Sequence, residues 1–190
     1  MNGYDRLMIF IDGQNLMHGA NNLGIKIDPV KMIRVLSEGR KLKRAYYYGS
    51  IPTNPNNDEG LKTQIDKQMG YYHFLEHAGF KTCIIPLRMR HFDFTCESCK
   101  HTTVIEKFIE KGVDVALVTD MLSLAAVGAY DVATIVSGDL DYQKAIDEIQ
   151  RRGLIVEVAY FRSQGISKEL IRLADRFIDL DTIVEKIKRE

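Results

Sequence analysis

The stretch DVATIVSGDLDYQKAIDEIQRRGLIVEVAY, residues 131–160, contains a complete strand–helix–strand unit. Asp131 to Val136 has the apolar character of a buried strand, a helical pattern runs on to Arg152 and stops at Gly153, and Leu154 to Tyr160 is a second apolar strand. Two strands joined by a helix usually lie parallel in one sheet. This stretch therefore predicts an α/β fold.

The same alternation of strands and helices extends over most of the chain. Leu7 to Ile11 is an apolar run that stops at Asp12-Gly13-Gln14-Asn15, which we interpret as a buried strand ending in a polar loop. Further strands are predicted at 44–50, 81–87 and 176–180, and helices at 29–36, 61–78, 112–129, 167–174 and the C-terminus. The expected architecture is a mainly parallel central sheet flanked by helices.

Residues 88–109 break this alternation. Two β-rich arms surround Cys96-Glu97-Ser98-Cys99, which predicts a β-hairpin inserted before the helix that starts near Gly112. The length of 190 residues suits one domain. We therefore expect a single domain over 1–190, with 88–109 as an insertion.

Composition indicates an ordinary globular protein. Hydrophobic residues make up 45% of the chain and charged residues 27%, which disfavours disorder. The 26 basic and 26 acidic residues cancel, so total charge does not indicate nucleic acid, although a local basic patch remains compatible with it. No signal peptide or apolar run of about 20 residues is present, and three cysteines do not suggest a disulfide framework. A cytoplasmic protein without membrane contact is expected.

Acidic side chains follow two of the predicted strands. Asp12 comes directly after the first strand, and Asp139 and Asp141 follow the strand that ends at Val136. Because ligands in open α/β sheets gather at the C-terminal ends of parallel strands, these three carboxylates are expected to converge. Asp114, near the start of a later helix, is expected to join them.

Such a cluster has a recognisable chemistry. Mg²⁺ and Mn²⁺ prefer carboxylate oxygens, and carboxylates placed together repel one another unless a cation is present. Phosphoryl transfer uses such an ion. Asn15 is expected to hold a metal-bound water or a phosphate oxygen, while Gly13 and Gly138 are expected to let the backbone turn tightly. The competing interpretation is that each aspartate is a helix cap or turn residue, which explains one position better than it explains four together.

Four segments of the chain resemble the NYN-domain family, the LabA-like proteins among the PIN-like nucleases. They occur in the order of the family, and their sequences are IFIDGQN (9–15), KGVDVALVTDM (111–121), VATIVSGDLDYQKAIDEIQRRG (132–153) and SKELIRLADRFIDL (167–180). The resemblance implies a three-layer α/β/α PIN-like (Rossmannoid) fold and a Mg²⁺- or Mn²⁺-dependent ribonuclease site. By position, it assigns that site to Asp12, Asp114, Asp139 and Asp141, with Asn15 beside them.

Asp120 also matches an aspartate of the family. RNA is the partner that the resemblance implies, and hydrolysis of its phosphodiester bonds is the expected reaction. The alternative is an RNA- or protein-binding regulator that keeps the acidic pocket without turnover. The chain has no Walker-type glycine loop, so NTP hydrolysis is not indicated, and Gly13-Gln14-Asn15 after Asp12 does not match a haloacid-dehalogenase nucleophile strand.

Cys96 and Cys99 have the spacing of a zinc knuckle, and His91 and His101 flank them. The four side chains could complete a zinc site within one hairpin, or two chains of a homodimer could pool their cysteines. A turn with no metal is the third interpretation, because a single CxxC is a weak signal. The hairpin could equally serve as a dimer arm or as an RNA-gripping arm.

Basic and aromatic residues suggest where RNA would lie. Arg88 and Arg90 make the hairpin locally basic, and Lys43 and Arg44 precede the second strand. Such side chains contact phosphates, and Tyr48 is a candidate for stacking on an unpaired base. The competing interpretations are a solvated face for the cations and a core position for the tyrosine.

Overall fold

The computed structural model describes residues 6–54 and 56–189. Within these ranges the chain forms eight strands and seven α-helices, joined by turns and three short 3-10 helices. In chain order they are β1 (Arg6–Asp12), α1 (Gly13–Asn22), α2 (Pro29–Leu36), β2 (Lys41–Ile51), α3 (Glu59–His77), β3 (Phe80–Pro86), β4 (Arg88–Thr95), β5 (Thr102–Ile109), α4 (Val113–Ala126), β6 (Val132–Val136), α5 (Gln143–Arg151), β7 (Ile155–Tyr160), α6 (Lys168–Leu173), β8 (Arg176–Asp179) and α7 (Val184–Ile187).

Six of the strands form one parallel sheet in the order β3-β2-β1-β6-β7-β8. Every residue of β1 from Leu7 to Asp12 and every residue of β6 is buried, which requires cover on both faces of the sheet. Helices provide that cover: α1 and α4 contact the β1–β2 region, and α5 packs on β7. The predicted α/β class with a mainly parallel sheet is confirmed.

The segment after Asp12 differs from its prediction. The polar sequence Gly13-Gln14-Asn15 opens α1 instead of forming a loop. Its asparagines and glycines are poor helix formers, so the pattern alone does not indicate a helix. The helix is stabilised from outside: the Asp12 carboxylate caps it, and Gly19 lies so close to Tyr160 and Phe161 that a Cβ there would sit 2.9 Å from each ring side chain.

The hairpin predicted at 88–109 is present. Strands β4 and β5 pair antiparallel from Arg88 opposite Ile109 to Thr95 opposite Thr102, and they form a two-stranded sheet separate from the main one. Most of its side chains are exposed. That the chain is one domain with this hairpin as an insertion remains a prediction.

None of the helices in the part of the chain described has the length and apolar character needed to cross a membrane.

An ion pair joins Arg6, at the start of β1, to Asp131, directly before β6. The Arg6 guanidinium donates to both carboxylate oxygens of Asp131, at 3.0 Å from Nε and 2.6 Å from Nη2, and the Arg6 backbone N–H donates to the same carboxylate at 2.8 Å. These hydrogen bonds lower the pKa of Asp131. The pair therefore stabilises the central strand pairing in its charged form.

Asp131→Asn is expected to lower stability to urea at pH 7. Because the folded pKa of Asp131 is depressed, its stabilisation is present above the unfolded value of about 3.9 and is lost as the pH falls through the folded value. Urea unfolding followed by circular dichroism at neutral pH and near pH 3 should show a difference between wild type and variant that shrinks in acid. Asp66→Asn, at an exposed position on α3, is the control. A difference that stays constant with pH would contradict the assignment.

Candidate acidic active site

A cleft opens where the order of the strands reverses. The chain runs outward from β1 to β3 and then returns to place β6 on the other side of β1, so the loops after β1 and β6 leave the sheet in different directions. The cavity there has a volume of about 840 Å³. Four carboxylates line it: Asp12, Glu110, Asp114 and Asp139.

Asp12 lies at the base of this cavity and is only 8% exposed. Its Oδ1 accepts a hydrogen bond from the Asn15 backbone N–H at 3.0 Å, and its Oδ2 accepts from the hydroxyls of Tyr142 at 2.9 Å and Ser137 at 3.4 Å. All three donors are neutral. Burial raises the pKa of Asp12, these hydrogen bonds oppose the rise, and the nearby carboxylate of Asp139 adds to it.

A second buried carboxylate, Glu157, has cationic partners that Asp12 lacks. Glu157 on β7 is fully buried, with Arg40 Nη1 at 2.9 Å from Oε1, Arg176 Nη1 at 3.5 Å and the Thr134 hydroxyl donating to Oε2 at 2.8 Å. Asp12, by contrast, forms no ion pair with any cationic side chain of residues 6–54 and 56–189. A buried carboxylate surrounded by other acids favours binding of a cation from solution.

The loop after β6 carries Asp139 and Asp141 on different sides. The Asp139 backbone N–H donates to Ser137 Oγ at 3.2 Å, and the Asp139 carboxylate accepts from the Asp141 backbone N–H at 2.9 Å, which starts a 3-10 helix at Leu140. Asp139 lines the main cavity, whereas Asp141 lines an adjoining cavity of about 180 Å³. Asp114 borders both, so the four predicted aspartates are distributed over two neighbouring spaces.

Asn15 connects the two loops. Its side-chain Oδ1 accepts a hydrogen bond from the Gly138 backbone N–H at 2.9 Å, and its carbonyl accepts from the Tyr160 hydroxyl at 3.3 Å. Asn15 also lines the main cavity. In this structure it positions the loop that carries Asp139 relative to α1.

The predicted role of Gly13 and Gly138, to let the backbone turn tightly, is wrong. Neither has a positive φ, so neither is needed for a left-handed turn. Instead, a Cβ at Gly13 would lie 2.4 Å from the ring of Tyr47, and a Cβ at Gly138 would lie 2.4 Å from the ring of Tyr160. Both glycines permit aromatic rings to pack directly beneath the acidic loops.

Glu110 is a carboxylate of the cavity that the sequence did not indicate. It is half-buried between the end of β5 and the start of α4, and its Oε2 accepts from the Ser50 hydroxyl at 3.3 Å. Burial raises the pKa of Glu110, and the charges of Asp12 and Asp114 raise it further. The available signal is its position between the predicted hairpin, which ends at residue 109, and the family-like segment that begins at Lys111.

The carboxylates of the cavity could bind a divalent cation only in small number. Within the described residues, no three His, Cys, Asp or Glu side chains come close enough together to hold one ion. Mg²⁺, however, is typically bound by one or two carboxylates and completes its coordination with waters and substrate phosphates. The acids of the cavity fit that pattern.

Two residues near the site have structural roles. Tyr48 is fully buried, and its hydroxyl donates to Asp120 Oδ2 at 2.8 Å. The prediction that Tyr48 stacks on RNA bases is therefore wrong, because the ring lies in the core between strand and helix. Asp120 lies six residues beyond Asp114 on α4, accepts this hydrogen bond and does not line the cavity.

The predicted zinc set within one hairpin is also wrong. His91 lies opposite Glu106, with Nδ1 and Oε1 3.5 Å apart, and it precedes Cys96 by five residues of extended strand, about 16 Å. His91, Cys96, Cys99 and His101 do not gather into a metal-binding group in the part of the chain that is described. The sequence spacing placed them in one hairpin but could not show that the strand holds His91 away from the turn.

The basic residues separate into two groups. Arg88 and Arg90 line a cavity of about 380 Å³ at the base of the hairpin, and Lys111 lines both this cavity and the acidic one. Lys43 and Arg44 lie near the start of β2, at the N-terminal ends of the parallel strands, whereas the acidic cavity lies at the C-terminal ends. Their position does not support the prediction that they contact RNA at the acidic site.

Comparison with known proteins identifies the family of this chain. The chain is 28% identical over 189 residues to the low amplitude and bright protein LabA of Synechococcus elongatus, an alignment that covers 97% of this chain and 90% of LabA. A crystal structure of a protein of unknown function from Vibrio parahaemolyticus has the same fold, with a TM-score of 0.69 at 20% identity and coverage of 100% of this chain and 99% of the other.

The NYN domain model matches residues 6–181, which include both acidic loops and all six strands of the main sheet. NYN domains are generally nuclease-like, with functions related to RNA. The predicted family is thereby confirmed, and the chain belongs to the NYN domain family.

Proposed function

We propose that this protein is a Mg²⁺- or Mn²⁺-dependent ribonuclease that hydrolyses RNA phosphodiester bonds in the acidic cavity. The observation that carries the proposal is Asp12: a buried carboxylate with neutral hydrogen-bond donors, no cationic partner among the described residues, and other acids facing the same space. Membership of a nuclease-like family supports it.

The residues of the cavity have different roles in the proposed hydrolysis. Asp12 and Asp139 would hold the ion directly, and waters and substrate phosphates would complete its coordination. Asp114 and, from the adjoining cavity, Asp141 would act on it through bound waters. When bound, such an ion polarises the phosphate and promotes attack by water. Asn15, Ser137 and Tyr142 hold the Asp12 loop and the Asp139 loop in a fixed relation through their hydrogen bonds.

Two further side chains would act on the substrate. As water attacks phosphorus and the P–O bond to the leaving oxygen breaks, a proton must leave the water and another must reach the leaving oxygen. Glu110, whose pKa is raised by burial, is placed to carry one of these protons. Lys111 borders the same cavity and would contact a phosphate oxygen.

A second candidate function is a binding regulator that does not cleave. The observation that favours it is that Tyr142 and Ser137 already occupy Oδ2 of Asp12, together with the lack of any three-residue metal group in the described ranges. Such a protein would bind RNA or protein equally well with and without divalent ions.

Asp12→Asn and Asp139→Asn are each expected to lower the rate of RNA cleavage in Mn²⁺ by at least about 100-fold, because each removes a negative charge from the ion site. Cleavage of a labelled RNA should be measured with melting temperatures in parallel. Asp66→Asn, on the exposed face of α3, should cleave as the wild type does. Wild-type rates in either site variant, from protein free of contaminating nuclease, would refute the proposed function.

Mn²⁺ is expected to raise the melting temperature of the wild type, because an ion that binds only the folded state stabilises it by an amount that grows with the logarithm of the ion concentration above Kd. The increase should be absent or much smaller in Asp12→Asn and unchanged in Asp66→Asn. Differential scanning calorimetry over a Mn²⁺ titration measures it. An equal increase in all three proteins would show that the ion binds elsewhere.

Glu110→Gln is expected to reduce the cleavage rate by about 100-fold or more, the typical contribution of one proton-transferring group, while leaving the Mn²⁺-dependent gain in melting temperature in place. Glu106→Gln on the exposed hairpin is the matched control. If Glu110→Gln instead abolished the Mn²⁺ effect, Glu110 would be an ion ligand and its proton-carrying role would be refuted.

A further inference from the structure

The β4–β5 hairpin has two chemically different faces. Side chains alternate along a strand, and directly opposite residues share a face. One face, here called the basic face, consists of Arg88, Arg90, Phe92 and Phe94 on β4 with their partners Ile109, Lys107, Ile105 and Thr103 on β5. It contains three cations and no acid. The acids of the two strands, Asp93 and Glu106, belong to the other face.

The cations of the basic face are available for a ligand. Arg88, Arg90 and Lys107 are all exposed, and none forms an ion pair with a carboxylate within residues 6–54 and 56–189. On the other face, by contrast, His91 already lies 3.5 Å from Glu106.

Aromatic rings lie on the same face as these cations. Phe92 is 46% exposed and Phe94 is 56% exposed. The two residues are two positions apart on one strand, so their Cα atoms are separated by about 6.8 Å. Successive bases in a helical strand rise by only about 3.4 Å. Two bases that stack on these rings with nothing between them must be spread beyond the helical rise, and their faces are free only in an unpaired strand.

The basic face continues into the acidic cavity. Arg88, Arg90 and Phe92 line the cavity of about 380 Å³ at the base of the hairpin, and Lys111 lines both that cavity and the one that contains Asp12. A chain of phosphates could thus pass from Lys111 onto Arg88 and Arg90 without crossing an acidic surface of the hairpin.

From this arrangement we propose that the basic face binds single-stranded RNA and leads it to the acidic cavity. Arg88, Arg90 and Lys107 contact its phosphates, while Phe92 and Phe94 stack on its unpaired bases. The inference rests on the proposed function, since it assigns the class of RNA that the same site receives.

A second copy of the chain is the competing occupant of this face. A two-fold symmetric dimer would press identical patches together, so the three cations of one copy would meet those of the other. That repulsion disfavours self-association through the basic face, whereas RNA phosphates complement it.

The test measures RNA binding in EDTA, where cleavage cannot interfere. Fluorescence anisotropy with an unstructured RNA of about 12 nucleotides should show that Arg88→Gln/Arg90→Gln raises Kd by about 10-fold or more and reduces the slope of log K against log salt by about 1.4, the value for two lost phosphate contacts. The matched control, Lys43→Gln/Arg44→Gln, removes the same charge at the N-terminal ends of the strands, away from the hairpin and the cavity, and should change Kd by less than about 2-fold.

The aromatic contacts are tested separately. Phe92→Ala and Phe94→Ala should each raise Kd by about 5-fold or more while leaving the salt slope unchanged. Phe74→Ala, at a phenylalanine on α3 that is 51% exposed, should leave Kd unchanged. A duplex RNA of the same length should bind more weakly than the single strand, because its bases cannot reach the rings.

Several results would overturn the proposal. The first is that the Arg88/Arg90 and Lys43/Arg44 variants change Kd for RNA equally. The second is that duplex and single-stranded RNA bind with equal affinity. The third is that light scattering shows the hairpin variants dissociating a dimer while their RNA binding is unaltered. Photo-crosslinking of 4-thiouridine RNA to the unaltered protein does not depend on any variant folding, and it should label the peptide containing Phe92 and Phe94.

The outcomes also separate this inference from the proposed function. RNA binding through the basic face with no cleavage in Mn²⁺ would refute the ribonuclease and leave the binding surface. Cleavage and binding that are both insensitive to Arg88 and Arg90 would refute the binding surface and leave the ribonuclease.

Discussion

The parallel pairing of β1 with β6, which sets Ile11 opposite Val136, is the contact on which the site depends. Because the strand order reverses at this pair, the two loops that follow these strands diverge and leave a cleft between them. The same register brings Asp12 within hydrogen-bonding distance of Ser137, and Asn15 within reach of Gly138. Shifting the register by one residue would turn these side chains to the other face and separate the acids.

Asp12 and Glu157 are two buried acids with opposite electrostatic surroundings. Both are buried at strand positions in the same sheet. Glu157 has Arg40 and Arg176 beside it, so its charge is compensated within the protein. Asp12 has only neutral donors, and Asp139 raises its pKa further. The fold therefore leaves a buried charge without a cationic partner at the base of the cleft, where a cation from solution would stabilise it.

The hairpin adds a different kind of surface to this sheet. A two-stranded ribbon has no core of its own, and here its strands leave Phe92 and Phe94 largely exposed. Lys111, at the junction with α4, belongs to the linings of both the hairpin cavity and the acidic cavity. Acidic and basic surfaces therefore meet at one residue, which is the arrangement expected when an anionic polymer must approach a cluster of carboxylates.

The sequence by itself determined the order of strands and helices, the hairpin and the strand-end acids, because these depend on local periodicity, caps and turns. It did not reveal α1, which owes its stability to packing of Gly19 against Tyr160 and Phe161, or the burial of Tyr48 against Asp120. Only the tertiary structure decided that Glu110 joins the cavity and that Asp141 faces the adjoining one. Those facts depend on how distant segments pack together, and local patterns in one sequence carry no information about that packing.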